Sequence, residues 1–236
     1  MSTGVHEPAD IRSMGIVHSA LRRDLERTRM VASASPHPDE KRRRAVASHM
    51  LWMMHFLHVH HTGEDVGLWP LVRSKNPAAG DLLDRMDEDH RRIAPAITAM
   101  EAAARAYRDD PSARERFLEA LTELRAVLLP HLEREEREMM PVVATTLTDE
   151  EYHAVEQEHF VKPKGFMELG AEGHWILDGL TSEGREVMLG VVPAVPRFVL
   201  LHGFAPAYRR RKAVLWGSGP AADLPSLDLA RMEGRG

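Results

Sequence analysis

His60-His61-Thr62-Gly63-Glu64 and, 71 residues later, His131-Leu132-Glu133-Arg134-Glu135 each set a histidine and a glutamate four positions apart. On an α-helix that spacing stacks the two side chains on one face, where a metal ion fits between them. The echo extends outward. Pro70 is matched by Pro141 at the same offset of 71, and the lone His18 by His90 at an offset of 72. The chain reads His, then His-x-x-x-Glu, and then repeats itself.

The residues around these motifs predict helices. From Ile11, the apolar residues Met14, Leu21 and Leu25 follow steps of three and four, and His18 falls within that series. A Ser/Pro/Asp stretch over 33–39 predicts a loop. A second helix is predicted from about Glu40 to beyond Leu68, with Val46, Met50, Met53, Leu57, His60 and Glu64 on one seam; Gly63 and Pro70 weaken its end. After a loop at 76–80, the third helix shows the most regular series: Leu83, Met86, His90, Ile93, Ile97, Met100, Ala104 and Tyr107, with Pro95 expected to bend it. The fourth carries Phe117, Leu121, Leu124, Leu128, His131, Glu135 and Val142, with Pro130 as a second expected kink. Four amphipathic helices with short or moderate loops predict an all-α, up-down-up-down four-helix bundle over 10–147, behind a polar lead-in at 1–9.

Thr148-Asp149-Glu150-Glu151 is a capping-box signature that predicts a fifth helix with Tyr152, Val155 and His159 turned inward. It opens a helical extension over 148–216, with further candidates at 181–192, 196–204 and 207–216. The apolar residues of 187–216, combined with Arg209-Arg210-Arg211-Lys212, fit packing across the end of the bundle better than attachment to a membrane surface. The last 20 residues, 217–236, are expected to be a disordered tail. With 236 residues, 43% of them hydrophobic, the chain can build its own core. A net charge of -5 gives no reason to expect a nucleic-acid partner, and the absence of cysteine excludes disulfides, thiolate metal sites and thiol nucleophiles. No signal peptide and no long apolar segment stand in the sequence, so a cytoplasmic location is expected.

His18, His60, Glu64, His90, His131 and Glu135 all lie on the inward seams. Burying two carboxylates and four imidazoles together costs several kcal/mol per ion unless each finds a partner. A salt-bridge network would need Lys or Arg on the same seams, and none is there. Divalent or trivalent cations supply the charge directly. Imidazole and carboxylate without sulfur suit iron, manganese or zinc. Two carboxylates and four histidines suggest two ions: Glu64 and Glu135 bridging, with His18 and His60 on one and His90 and His131 on the other. With a bridging oxide or hydroxide each ion has five ligands, which leaves an open position. The Glu-x-x-His pairs Glu150/His153 and Glu156/His159 share one predicted helix and are taken as surface residues, the alternative being that His159 or Tyr152 reaches the metal as an extra ligand or a partner of one. His49, His55, His58 and His61 are expected to point largely away from the site. His61 could hydrogen-bond near it, but solvent or an inter-helix position is favoured. The acidic run 133–138 is expected to be mostly solvated.

The order H...HxxxE...H...HxxxE on four helices resembles the hemerythrin-like cation-binding family over about residues 10–145, and within it the actinobacterial hemerythrin-like proteins. The resemblance implies two non-haem iron ions with an oxo or hydroxo bridge, and a small ligand such as oxygen, nitric oxide or peroxide. The oxygen carriers of that family add a fifth histidine one turn from the third-helix one, where this chain has Met86 and Ala94. Open positions on both irons favour reaction with hydrogen peroxide, as in a catalase or peroxidase. Binding or sensing of oxygen or nitric oxide without turnover, or an iron-responsive regulatory module, is the alternative.

Overall fold

The computed structural model describes residues 8–190 and 203–226. Four helices form the bundle: α1 (Arg12–Ala32), α2 (Glu40–Gly63), α4 (Gly80–Asp109) and α5 (Arg114–Arg134). A short helix, α3 (Trp69–Lys75), prolongs α2, and α6 (Met140–Thr146) prolongs α5. α2 packs on α4, α4 on α5, and α1 on both α5 and α2. Each helix lies beside its neighbours in the chain and the ring closes, so the bundle runs up-down-up-down. Among the described residues there is no strand, only an isolated bridge from Pro8 to Thr148.

The predicted seams form the core. Leu21 and Leu25 on α1, Met50, Met53 and Leu57 on α2, Ile93 and Met100 on α4, and Leu124 and Leu128 on α5 have no exposed surface. Each such side chain contributes about 1.5–3 kcal/mol relative to leaving it in water. Asp39 starts α2 by accepting from the Arg42 backbone N–H at 2.8 Å. α4 and α5 continue through Pro95 and Pro130 as unbroken helical segments.

The helical register changes at both glutamates. Residues Glu64–Leu68 and Glu135–Met139 are π turns, in which the N–H of Trp69 reaches back to Glu64 and that of Met140 to Glu135. In each copy a proline follows one residue later, Pro70 or Pro141. Proline has no N–H and crowds the carbonyl four residues back, and the wider turn accommodates both effects. The extra residue moves the buried face on by one. Val143 is therefore buried where the periodicity predicted Val142, which is only half-buried.

The extension comprises α7 (Asp149–Val155), a third π turn (Glu156–Val161), α8 (Phe166–Leu177), α9 (Ser182–Gly190), α10 (Ala205–Trp216) and α11 (Pro220–Asp223). Thr148 and Glu151 form both halves of the capping box. The candidate at 196–204 lies outside the described residues except for its last two. A buried carboxylate, Asp24, holds the extension to α1 and α2. It accepts from Arg23 Nε at 2.8 Å, Arg27 at 3.1 Å, Trp175 Nε1 at 2.9 Å and His49 Nε2 at 2.7 Å. Arg211 donates to His49 Nδ1 at 2.9 Å, which leaves the imidazole proton on Nε2 for Asp24. Lys212 pairs with Asp178 at 2.6 Å, and Leu215 and Trp216 are buried. Arg211 and Lys212 thus tie α10 to α2 and to the end of α8, while Arg209 and Arg210 are exposed, and no described helix is long and apolar enough to cross a membrane. Residues 217–226, expected to belong to a disordered tail, are instead placed against α1. Arg27 donates to the Leu224 carbonyl at 2.8 Å and Arg23 to Ser226 at 2.9 Å, because two buried guanidiniums have more donors than Asp24 and Asp178 can absorb. Residues 227–236 lie outside the described part.

Candidate metal centre

α1, α2, α4, α5 and the π turns that follow α2 and α5 bring His18, His60, Glu64, His90, His131 and Glu135 together in the bundle, all of them buried. The carboxylates stand between the histidines. Glu64 lies 2.9 Å from His60 Nε2 and 3.4 Å from His90 Nε2. Glu135 lies 3.4 Å from His18 Nε2 and 3.6 Å from His131 Nε2. Two groups have their ligating atoms mutually within 4.8 Å: His18, His60 and Glu64 in one, His61, His90 and His131 in the other.

His61 takes the inter-helix position that the sequence left open beside solvent, but there it joins the site instead of pointing away from it. It is 6% exposed, stacks on His90 with ring centroids 4.1 Å apart and an interplanar angle of 11°, and lies 5.2 Å from His131. Adjacent helix positions diverge by about 100°, so two consecutive histidines both turn inward only where neighbouring helices flank both sides. His61 is covered because the flat His90 ring of α4 lies against it. The neighbouring pair His60-His61 at the end of a seam was the available signal.

Acidic residues outside the ligand set orient the rings. Glu136 meets His18 Nδ1 at 2.9 Å and is itself held by Arg22 at 2.5 Å. Asp65 meets His90 Nδ1 at 2.7 Å. Asp89, engaged by Arg134, lies 3.6 Å from His131 Nδ1. In both repeats the residue following the glutamate, Asp65 or Glu136, orients a histidine of another helix, so Glu136 leaves the solvated face expected for 133–138. Glu136 and Asp65 thus hold protons on Nδ1 of His18 and His90 and turn their Nε2 lone pairs inward, while His131 Nδ1 has no hydrogen-bond partner among the described residues. Burial lowers His18 to about 4 against the pull of Glu136, and lowers His131 and His61 as well. Burial lowers His90 too, but the hydrogen bond to Asp65 and the charges of Glu64, Asp65 and Asp87 together outweigh it, so His90 is raised.

The donor set fits a metal. Both oxygens of Glu64 and of Glu135, and the Nε2 atoms of His61, His90 and His131, are buried with no hydrogen-bond partner among the described residues. Burial and the Glu64 charge push Glu135 well up, while the surrounding imidazoles, His60 foremost, hold Glu64 down against its own burial. Two buried carboxylates with so little protein compensation call for a cation. Tyr152 and His159 are in neither group. The Tyr152 hydroxyl is 3.4 Å from Ser13 Oγ, and the half-buried His159 lies over Gly67. His153 pairs with Glu156 at 3.5 Å, and His55 and His58 face solvent.

No curated protein and no solved structure gave a significant match. The family model described as the Hemerythrin HHE cation binding domain matches residues 11–143, the segment holding all the residues of both groups. Since that match spans more than half of the 236 residues, the chain belongs to the hemerythrin HHE cation-binding family.

Proposed function

We propose that the chain holds two non-haem iron ions, joined by an oxo or hydroxo bridge, and reacts with hydrogen peroxide in the manner of a catalase or peroxidase. Its subgroup within the family would be that of the actinobacterial hemerythrin-like proteins. The observation that carries the proposal is the two groups, His18, His60 and Glu64 in one and His61, His90 and His131 in the other, with the carboxylates of Glu64 and Glu135 and the Nε2 atoms of the second group buried and unpartnered among the described residues. His18 and His60 would hold one ion, His90 and His131 the other, and both glutamates would reach each ion. Iron bound there would supply redox chemistry that no side chain of this protein has. The chain's own part is to deliver neutral imidazoles, fix the Nδ1 protons of His18 and His90 through Glu136 and Asp65, and exclude bulk water.

His61 makes the two sides unequal. With His61 as a third nitrogen beside His90 and His131, the exchangeable position would fall on the His18–His60 side. That inequality favours a second reading, reversible binding of oxygen or nitric oxide, since it replaces from α2 the histidine that Met86 and Ala94 do not provide. The test measures oxygen evolution from peroxide by the iron-loaded chain, with iron content determined in parallel. About two irons per chain and turnover well above that of free iron are expected. His61→Ala should raise turnover further by opening the second ion. Turnover no greater than that of free iron at equal concentration would leave the gas-binding reading, which spectroscopic titration with oxygen and nitric oxide then decides.

A further inference from the structure

Beside the metal centre lies an apolar cavity of about 450 Å³, walled by Met14, Phe56, His60, Phe160, Ile176 and Met188 among others. Its inner wall comes from α1 and α2 and its outer wall from the extension, outside the segment matched by the family. The volume lies within the range of small-molecule sites.

His60 distinguishes this wall. His18 and His90 have Nδ1 hydrogen-bonded to a carboxylate and His131 Nδ1 has Asp89 at 3.6 Å, whereas His60 Nδ1 has neither a hydrogen bond nor an ion pair among the described residues. Its Nε2 faces Glu64 and His18, its ring lies nearly parallel to Phe56 with centroids 5.9 Å apart, and Phe160 flanks it at 5.6 Å. A metal on Nε2 leaves the proton on Nδ1, available to an acceptor in the cavity. The charged residues of the wall are already engaged. Lys164 and Glu172 pair at 2.6 Å with both side chains 7% exposed, and Ser13 donates to Glu156 at 2.6 Å. A charged head group would have to break one of these pairs. At 52% and 71% exposed, Phe166 and its neighbour Met167 offer an apolar approach, Phe166 itself lining the cavity.

We propose that this cavity binds a neutral, planar aromatic molecule carrying a carbonyl acceptor, the chemistry of a quinone, which accepts a hydrogen bond from His60 Nδ1 and stacks among the phenylalanines. The site rests on the metal reading only for the position of the His60 proton.

The probe is menadione, titrated calorimetrically into the full chain with zinc, a redox-inert metal, bound and then without metal; zinc content is measured on the same samples. The chain has no cysteine for menadione to alkylate. One menadione per zinc-loaded chain is expected. 2-Methylnaphthalene, which lacks the carbonyls, should bind about tenfold more weakly, as for loss of one hydrogen bond. The metal-free chain, in which Glu64 can draw the proton to Nε2, should be weaker by a similar factor. A Cβ at Gly173 meets nothing within 4 Å, so Gly173→Leu fills the cavity without a clash at its base and should abolish binding while zinc content and helicity are kept. No menadione binding by a chain that carries zinc, or binding indifferent to Gly173→Leu, overturns the site alone. Tighter binding of decanoate or decylamine would overturn the neutral-ligand assignment. Failure to bind any metal would remove the metal reading and with it the proton position assigned to His60, and the Gly173→Leu comparison on the metal-free chain would then decide the cavity by itself.

Discussion

Glu135 shows at single-residue scale how function sets a local cost. Its carboxylate is fully buried, lies next to Glu64 and is pushed well above its ordinary pKa by burial and by that neighbour. Without metal it is a liability, so Glu135→Gln should stabilise the metal-free chain, by on the order of 1–2 kcal/mol, while sharply lowering its iron content. Denaturant unfolding in the presence of a chelator, with iron analysis of reloaded samples, checks both halves. Destabilisation of the metal-free chain would mean that the glutamate serves the fold instead. Most of the candidate site was legible from residue types and spacing. His61, Asp65 and Glu136 were not, because whether a helix flank touches a neighbour depends on how closely that neighbour approaches.

At the scale of the element, glycines separate intrinsic helix preference from packing. Alanine ordinarily stabilises a helix interior by about 1 kcal/mol over glycine. At Gly63, at the end of α2, a Cβ would come within 2.6 Å of the Phe160 ring from the third π turn. Gly63→Ala should therefore destabilise by about 1–3 kcal/mol, as overpacking does, and loosen residues 156–161. Gly173→Ala in α8, which meets open space, should stabilise instead. Thermal unfolding of the two variants gives opposite signs if the packing is as described, and hydrogen exchange over 156–161 reports the loosening. The π turns were only half legible. The repeated proline announced an irregularity, but periodicity alone cannot say whether a helix ends there or widens and continues one residue out of register.

For the whole molecule, the Asp24 network decides how far bundle and extension fold as one unit. Asp24→Ala would leave Arg23 and Arg27 buried without their main counter-ion and His49 and Trp175 without their acceptor, so a loss of about 3–5 kcal/mol is expected in denaturant unfolding. Truncation after Leu147 removes Trp175 and Asp178 as well and uncovers Phe56 and Trp52, against which Trp175 packs. The truncated chain should keep its metal but lose solubility, as sedimentation and metal analysis would show. Acid acts on the centre itself. His18 takes a proton near 6.5 when unfolded but only at about 4 when folded, so the stability of the metal-free chain falls as pH drops through that window. His18 alone accounts for about 3 kcal/mol, with His49 and His131 acting in the same direction and the raised His90 opposing. Unfolding midpoints measured from pH 7 to pH 4 should decline; a flat profile would mean that the imidazoles are not buried neutral.

The sequence by itself determined the helical bundle, because apolar periodicity leaves an amphipathic helix one face to bury, and it announced a metal, because two carboxylates and four imidazoles cannot be buried together uncompensated. Only the tertiary structure decided which neighbouring side chains join the centre, where the helices widen, and that residues 217–226 pack on α1. Those outcomes depend on distances between segments far apart in the chain, set by close packing and by the hydrogen-bonding demands of buried charges such as Arg23, Arg27 and Asp24, which no local pattern encodes.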